Sequence, residues 1–394
     1  MMRRRHRIYK LSTSPRIGRL ARGVIFYLTV VAAFVFLINA CSKSKNSGVR
    51  ELPDSGDAAL ESTDGSVTEK DVGELPDAED LSDAATNCTS EITQITSPIL
   101  HIPDEATVVS SVPIIKVSPT DLYYLLSCFI KGDDTPYGYL MRVPIRGGES
   151  VRMAVVSGGG LGSQELAVTS EAVVFSESRD GIEGAIGRVP LEGGETTTIT
   201  GTNGVSRALV ADNENVYFVD EEATKRVSLD GGKVQTLTSE RPYSIGLVGQ
   251  NLLLASPGTA PGSGTVSSVP IEGGQVTVLA REQRGPLFPV GCGTNIYWVS
   301  IGPWTNGQLM QLKPEGEPIV LAEGLNTTRD IVCDGENLFV AYGSIVRIPL
   351  DGGDRVTVET ESAAEDVELD RHCIYWSNLN GIYSLALSVA RGDD

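Results

Sequence analysis

The chain has 394 residues, a net charge of −19, 41% apolar and 6% aromatic residues, 43 Gly and only three His. Such acidity excludes a nucleic-acid binder, because the surface repels phosphates, and scarce His argues against His-rich metal sites, so no metal or cofactor is expected. The length fits two or three average domains or one large all-β domain with a tail, and Gly at about 11% against a usual ~7% points to many turns.

The charge is unevenly spread. Residues 1–40 hold eight Lys/Arg and no acid, residues 41–90 hold twelve acids and four bases, and residues 91–394 carry −19. The part beyond residue 40 therefore carries −27. The basic stretch ends at Arg22, and an uncharged apolar run follows from Val24 to Ile38. Its 15 residues suit a signal-peptide core and are short for a membrane span of ~20. Then comes Ile38-Asn39-Ala40-Cys41, which resembles a bacterial lipobox: aliphatic at −3, small at −1, then Cys. The resemblance implies cleavage before Cys41 and lipidation of that Cys. Asn39 departs from the usual residue at −2, and Ser42 in place of Asp implies outer-membrane sorting. The alternative is an uncleaved signal anchor. Both readings place the rest of the chain outside the cytoplasm, at the outer membrane, in the periplasm or on the cell surface.

Residues 41–94 read as a disordered acidic tether. The stretch is rich in Ser, Asp, Glu, Ala and Gly and cannot bury enough apolar surface to offset chain entropy. About 50 flexible residues reach roughly 40 Å at 5–6 Å × √n.

From residue 95 onward a unit of about 40 residues repeats. Its marker is an apolar strand, Val/Ile-Pro-Leu/Ile, a charged residue and Gly-Gly. It occurs at Val143–Gly148, Val189–Gly194, Val227–Gly232, Val269–Gly274 and Ile348–Gly353, with a degraded copy at Leu312–Glu317. The Gly-Gly step predicts a tight hairpin, and the Pro predicts a strand end. Upstream of each marker lies a β-rich run, seven in all, including Val216-Tyr217-Phe218-Val219, Ile296-Tyr297-Trp298-Val299 and Ile374-Tyr375-Trp376. Four short antiparallel strands per unit make one blade of a β-propeller. The expected fold is an all-β, seven-bladed propeller over 95–394, with six blades as the alternative. The last unit lacks its fourth strand. An N-terminal segment, Ile99–Ile102 or Thr107–Val109, is expected to supply it and close the ring.

These repeats resemble those of secreted TolB-like and YWTD-like β-propellers, especially bacterial propeller lipoproteins with Tyr-Trp…Val-Pro-Leu-Asp-Gly-Gly units. The resemblance covers about residues 95–390. It implies the fold and little about function, since that family mixes binding modules with a few lyases.

Five Cys remain beyond Cys41, none in Cys-x-x-Cys spacing. Cys292 and Cys333 take similar places in successive units and suit a cross-blade bond. Cys128 and Cys373 lie in the first and last blades, which adjoin on closure, leaving Cys88 over. His101 and His372 fall near the seam without ligand-type spacing to acids. No Gly-x-Ser-x-Gly elbow, dinucleotide fingerprint or calcium loop occurs. Trp298 and Trp376 read as packing residues. Ligand-binding candidates are loop and connector residues on one face: Tyr137, Tyr139, Arg207, Tyr243, Trp304 and Arg329, with Arg241, Arg284 and Asp366 on connectors.

The expected function is that of a non-enzymatic binding or scaffold module for a protein, peptide or glycan, attached to a membrane through Cys41 or the apolar segment. The alternative is a lyase or lactonase, which needs acids or His converging at the channel mouth.

Overall fold

The computed structural model describes residues 88–96, 106–109, 114–130, 136–157, 165–179, 183–301, 307–325, 327–359 and 363–392. Cys41, the apolar segment, the tether up to residue 87, His101 and Trp304 lie outside them. The described chain is almost entirely antiparallel β, arranged as seven sheets around a ring. Each blade runs from an inner strand outward, and the seven inner strands contact one another in sequence order. Those inner strands are Ile114–Val117, Leu166–Val168, Ala208–Ala211, Ser244–Val248, Pro286–Cys292, Asp330–Cys333 and Asp366–Leu369, in blades one to seven. The seven-bladed expectation holds, and the six-bladed alternative falls.

The Gly-Gly markers form the turns between third and outer strands. In each, the Gly N–H donates to the carbonyl three residues back: Gly147 to Pro144 at 2.8 Å, Gly193 to Pro190 at 2.9 Å, Gly273 to Pro270 at 2.8 Å. Gly147, Gly193 and Gly273 have φ of 81°, 91° and 84°, a region that a side chain disfavours. The Pro ends its strand, so its missing N–H breaks no ladder bond. A second repeated device sits between inner and second strands. Asp212 accepts N–H bonds from Glu214 and Asn215 and the Tyr217 hydroxyl at 2.8 Å. Asp370 does the same for His372, Cys373 and Tyr375.

The core is divided among the interfaces between blades. Seven hydrophobic clusters occupy the seven interfaces of the ring. Alternation along the second strand feeds two of them at once. Tyr217 packs toward blade four and Phe218 toward blade two. Tyr297 packs toward blade six and Trp298 toward blade four. Tyr375 packs toward blade one and Trp376 toward blade six. Trp298 and Trp376 are fully buried, and Trp376 stacks on Tyr383 with centroids 5.9 Å apart.

Closure differs from expectation in its strand. Blade seven is completed by Thr93–Thr96, which pairs with Gly381–Ala386. Ile99–Ile102 lies outside the described residues. Ala106–Val109 pairs instead with the far end of the second strand of blade one, giving that blade five strands. Ile95 explains the choice, because it buries its side chain in the seam between blades seven and one. The C-terminus ends in a short helix, Leu387–Arg391. Arg391 Nε meets Asp334 at 2.8 Å and pins this end to blade six.

Two disulfides are present among the described residues. Cys292–Cys333 joins the inner strands of blades five and six. Cys373 bonds to Cys88, which corrects the expected Cys128–Cys373 pair. Cys128 pairs by backbone with Val109 and Tyr137 in blade one. The bonds close loops with sequence separations of 285 and 41. Chain entropy alone assigns them about 6 and about 4 kcal/mol.

Gly381 is required by close approach. A Cβ there would meet the Gln94 amide and lie 2.7 Å from the Thr96 carbonyl oxygen. Gly381→Ala should therefore lower stability by about 1–3 kcal/mol, read from urea unfolding. A change below 0.5 kcal/mol would refute this close packing.

Candidate functional site

Chain direction defines two faces. Each inner strand begins at the face where the second strand ends, so the connectors between blades and the second-to-third loops share one mouth. The first residues of the inner strands form a tier around the central channel. Backbone register places Ile114, Glu165, Ala208, Ser244, Leu287, Asp330 and Asp366 at equivalent positions. Two residues further in lie Lys116 and Glu368. The channel wall is thus two-sided. Blades six, seven, one and two contribute Asp330, Asp366, Glu368, Lys116 and Glu165. Blades three to five contribute small and apolar residues, and Gly246 has its Cα against the Pro289 carbonyl with no room for a Cβ. A bulge in the inner strand of blade five permits this contact. It places Phe288 at φ 52°, and the Phe288 N–H donates to Ser244 Oγ at 2.9 Å.

The charged half is one network. Lys116 Nζ donates to Glu368 Oε1. The Ile115 N–H donates to Asp366 Oδ2 at 2.7 Å. Both bonds tie blade one to blade seven. Lys116 and Glu368 keep 28% and 19% of their side-chain surface open, so the lumen is accessible although the strands are innermost. Burial alone would lower the lysine pKa, but Glu368, Asp366 and Asp330 together hold it raised. Burial pushes Asp330 up, and the adjoining Asp366 adds to the shift. Burial also raises Glu368, against the pull of Lys116. Glu165 is pushed up to about 8 by burial, with Lys116 opposing and Asp366 reinforcing.

Asp366 was expected on a connector; it opens the inner strand of blade seven and is buried. Lys116, Glu165, Asp330 and Glu368 were missed by sequence reading. A signal existed: aligned on the aromatic strand, the repeats place Glu165, Asp330 and Asp366 in the slot that holds Ala208 in blade three. No group of three or more His, Cys, Asp or Glu among the described residues is arranged to hold a metal ion. His372 is exposed on a turn at the face opposite the mouth.

The other candidates separate. Tyr137 and Tyr139 belong to the third strand of blade one, not to a loop. Tyr139 is buried in the seam cluster, with the Arg152 guanidinium 5.5 Å from its ring centroid. Arg207, Tyr243, Arg284 and Arg329 are exposed on the rim of blades three to six. Arg207, Tyr243 and Arg329 occupy equivalent positions, their N–H groups donating to Val219, Ala255 and Ala341. Tyr243 is 59% exposed. Arg241 donates to the Glu221 carbonyl, and Arg329 meets Glu365 at 3.3 Å. The rim is uneven. The second strand of blade one has ten residues against five in blade three, and aligned at their starts this lifts blade one about 16 Å higher at the mouth.

No family model and no curated protein matches the chain. Solved structures do. The β-propeller domain of the trilobed protease from Pyrococcus furiosus is 10% identical, with a TM-score of 0.51, over 70% of this chain and 96% of that one. It is described as having an open velcro topology; the present ring is closed by Thr93–Thr96. A prolyl endopeptidase is 13% identical, with a TM-score of 0.50, over 72% of this chain and 49% of that one. BamB from Moraxella catarrhalis is 14% identical over 75% of this chain and 97% of that one, with a TM-score of 0.44. At these identities the likeness to the first two concerns the fold alone: the class of protein is the β-propeller.

Glu165 carries a pH-dependent cost. A carboxyl whose folded pKa exceeds its unfolded value favours folding when protonated, so its penalty grows as pH rises from about 4.5 to about 8. Glu165→Gln should match wild type below pH 4.5 and be about 2 kcal/mol more stable at pH 8, discounted for the open channel. Thermal melts across pH check this; a constant difference would refute it.

Proposed function

We propose that the protein is an extracytoplasmic, envelope-anchored propeller that acts as a non-enzymatic binding or scaffold module for a protein, peptide or glycan. The observation that supports this reading is the rim: exposed Arg207, Tyr243, Arg284 and Arg329 stand on successive connectors of one face of a closed ring. On a chain this acidic, such a cluster is a distinct feature, and Tyr and Arg are side chains enriched at interfaces. The closed blades hold these residues in fixed relative positions, which lowers the ordering cost of binding.

The anchor reading rests on the sequence. In it, residues 1–40 are the signal, Cys41 is lipidated, and a tether runs to the propeller. Two disulfides are consistent with an oxidising compartment. The likeness of the repeats to TolB-like and YWTD-like propeller lipoproteins supports the same placement. A lyase or lactonase is the second reading. It is favoured by one observation, the raised Glu165 carboxyl beside Lys116 in an open channel.

Affinity capture from envelope extract with the full-length chain should recover a partner. Combining Arg207→Glu, Tyr243→Ala and Arg329→Glu should lower its recovery at least tenfold. Turnover of a lactone panel with no partner recovered would instead favour the enzyme. In cells given an alkyne-tagged fatty acid, Cys41→Ser should abolish acyl labelling; unchanged labelling overturns the lipobox reading.

A further inference from the structure

We infer that the Cys88–Cys373 disulfide is a redox-sensitive latch on ring closure, so that reduction of this one bond releases the closing strand from blade seven.

The closing strand is weak by construction. It has four residues, Thr93 and Gln94 are exposed, and its pairing slips between Gln94 and Thr96. Its side-chain ties include Ile95 in the seam cluster, the Gln94 amide to the Asn380 carbonyl at 3.0 Å, and Thr96 to Ser150 at 3.1 Å. A four-residue pairing at the outer edge of a blade frays readily. The disulfide lies five residues ahead of this strand. From Cys88 it reaches past the third strand of blade seven, where the Ala386 N–H donates to the Thr89 carbonyl, to Cys373 at the start of the second strand. It thereby places the closing strand inside a covalently closed loop.

The C-terminal end of the blade needs no such help. Leu387 N–H donates to the His372 carbonyl at 2.7 Å, and the short helix is fixed to blade six by Arg391 with Asp334 and by Arg347 with the Arg391 carbonyl. The second disulfide has a different task. Cys292–Cys333 joins two blades that each own all four of their strands and follow one another in the chain. Its loss leaves every strand in place.

The chemistry is thiol–disulfide exchange with a dithiol reductant. Cys88 is half-buried and Cys373 fully buried, so the reductant's thiolate attacks Cys88 Sγ and expels the Cys373 thiolate, which takes up a proton. The reductant's second thiol then resolves the mixed disulfide, freeing the Cys88 thiol and oxidising the dithiol to its own disulfide. Two electrons and two protons pass to the protein.

Hydrogen exchange on the full-length protein tests the latch. The reporters are the amides of Ile382 and Ser384, which the alternation along the strand turns toward the closing strand, as it does Ala386. Treating oxidised wild type with dithiothreitol until thiol counting shows both Cys88 and Cys373 free should speed their exchange at least a hundredfold. Cys292→Ser with Cys333→Ser, without reductant, should keep wild-type exchange there. Cys88→Ser with Cys373→Ser should exchange fast with or without reductant. If exchange at Ile382 and Ser384 in the reduced wild type stays within threefold of the oxidised protein, the latch is overturned. That measurement does not depend on whether the variants fold.

Discussion

The whole structure depends on one constraint: every blade must bury both of its faces. A sheet with two apolar faces needs a neighbour on each side, and a finite set of such sheets has only one arrangement without exposed ends, a ring. The paired large residues of the second strands meet this requirement directly. Adjacent residues on a strand point to opposite faces, so Tyr297 and Trp298 serve different interfaces, as do Tyr375 and Trp376. Seven interfaces filled by seven clusters leave no face for solvent.

The same constraint makes the seam between blades seven and one the critical place. Elsewhere, chain continuity brings neighbouring blades together. At the seam the chain leads from blade seven to blade one only through the closing strand, which non-local contacts and a covalent bond hold to blade seven. The contacts found there are correspondingly diverse: a shared apolar cluster, the Lys116–Glu368 pair, the Ile115 bond to Asp366, and Cys88–Cys373 just ahead of the closing strand. The charged half of the channel therefore has a structural duty at the seam as well as a chemical character. Glu165, Asp330 and Glu368 are raised by burial, with Asp366 reinforcing each, while the lysine they surround stays charged.

This division also separates the two functional readings in space. The arginine and tyrosine rim belongs to blades three to six, and the acid–lysine lumen to blades six, seven, one and two. A partner resting on the rim would meet exposed, cationic and aromatic side chains. A small molecule entering the lumen would meet a glutamate of raised pKa and a paired lysine.

Much of the architecture was legible in the residues. The Gly-Gly turns, the strand-ending prolines and the aromatic doublets are local signals, because turn geometry and face alternation depend on neighbours a few positions away. They determined the blade and its period and pointed to seven blades, with six left open until the ring was seen. What only the tertiary structure decided is long-range. The closing strand proved to be Thr93–Thr96, because burying Ile95 in the seam requires a partner 286 positions on. Cys373 took Cys88, because the path of that strand brings Cys88 to it. Tyr139 looked like a loop residue, and the length of the blade-one hairpin buried it instead. The lumen residues Glu165, Asp330 and Asp366 are unremarkable acids in sequence. They become neighbours only when the ring closes, since their proximity comes from the axis that all seven inner strands share.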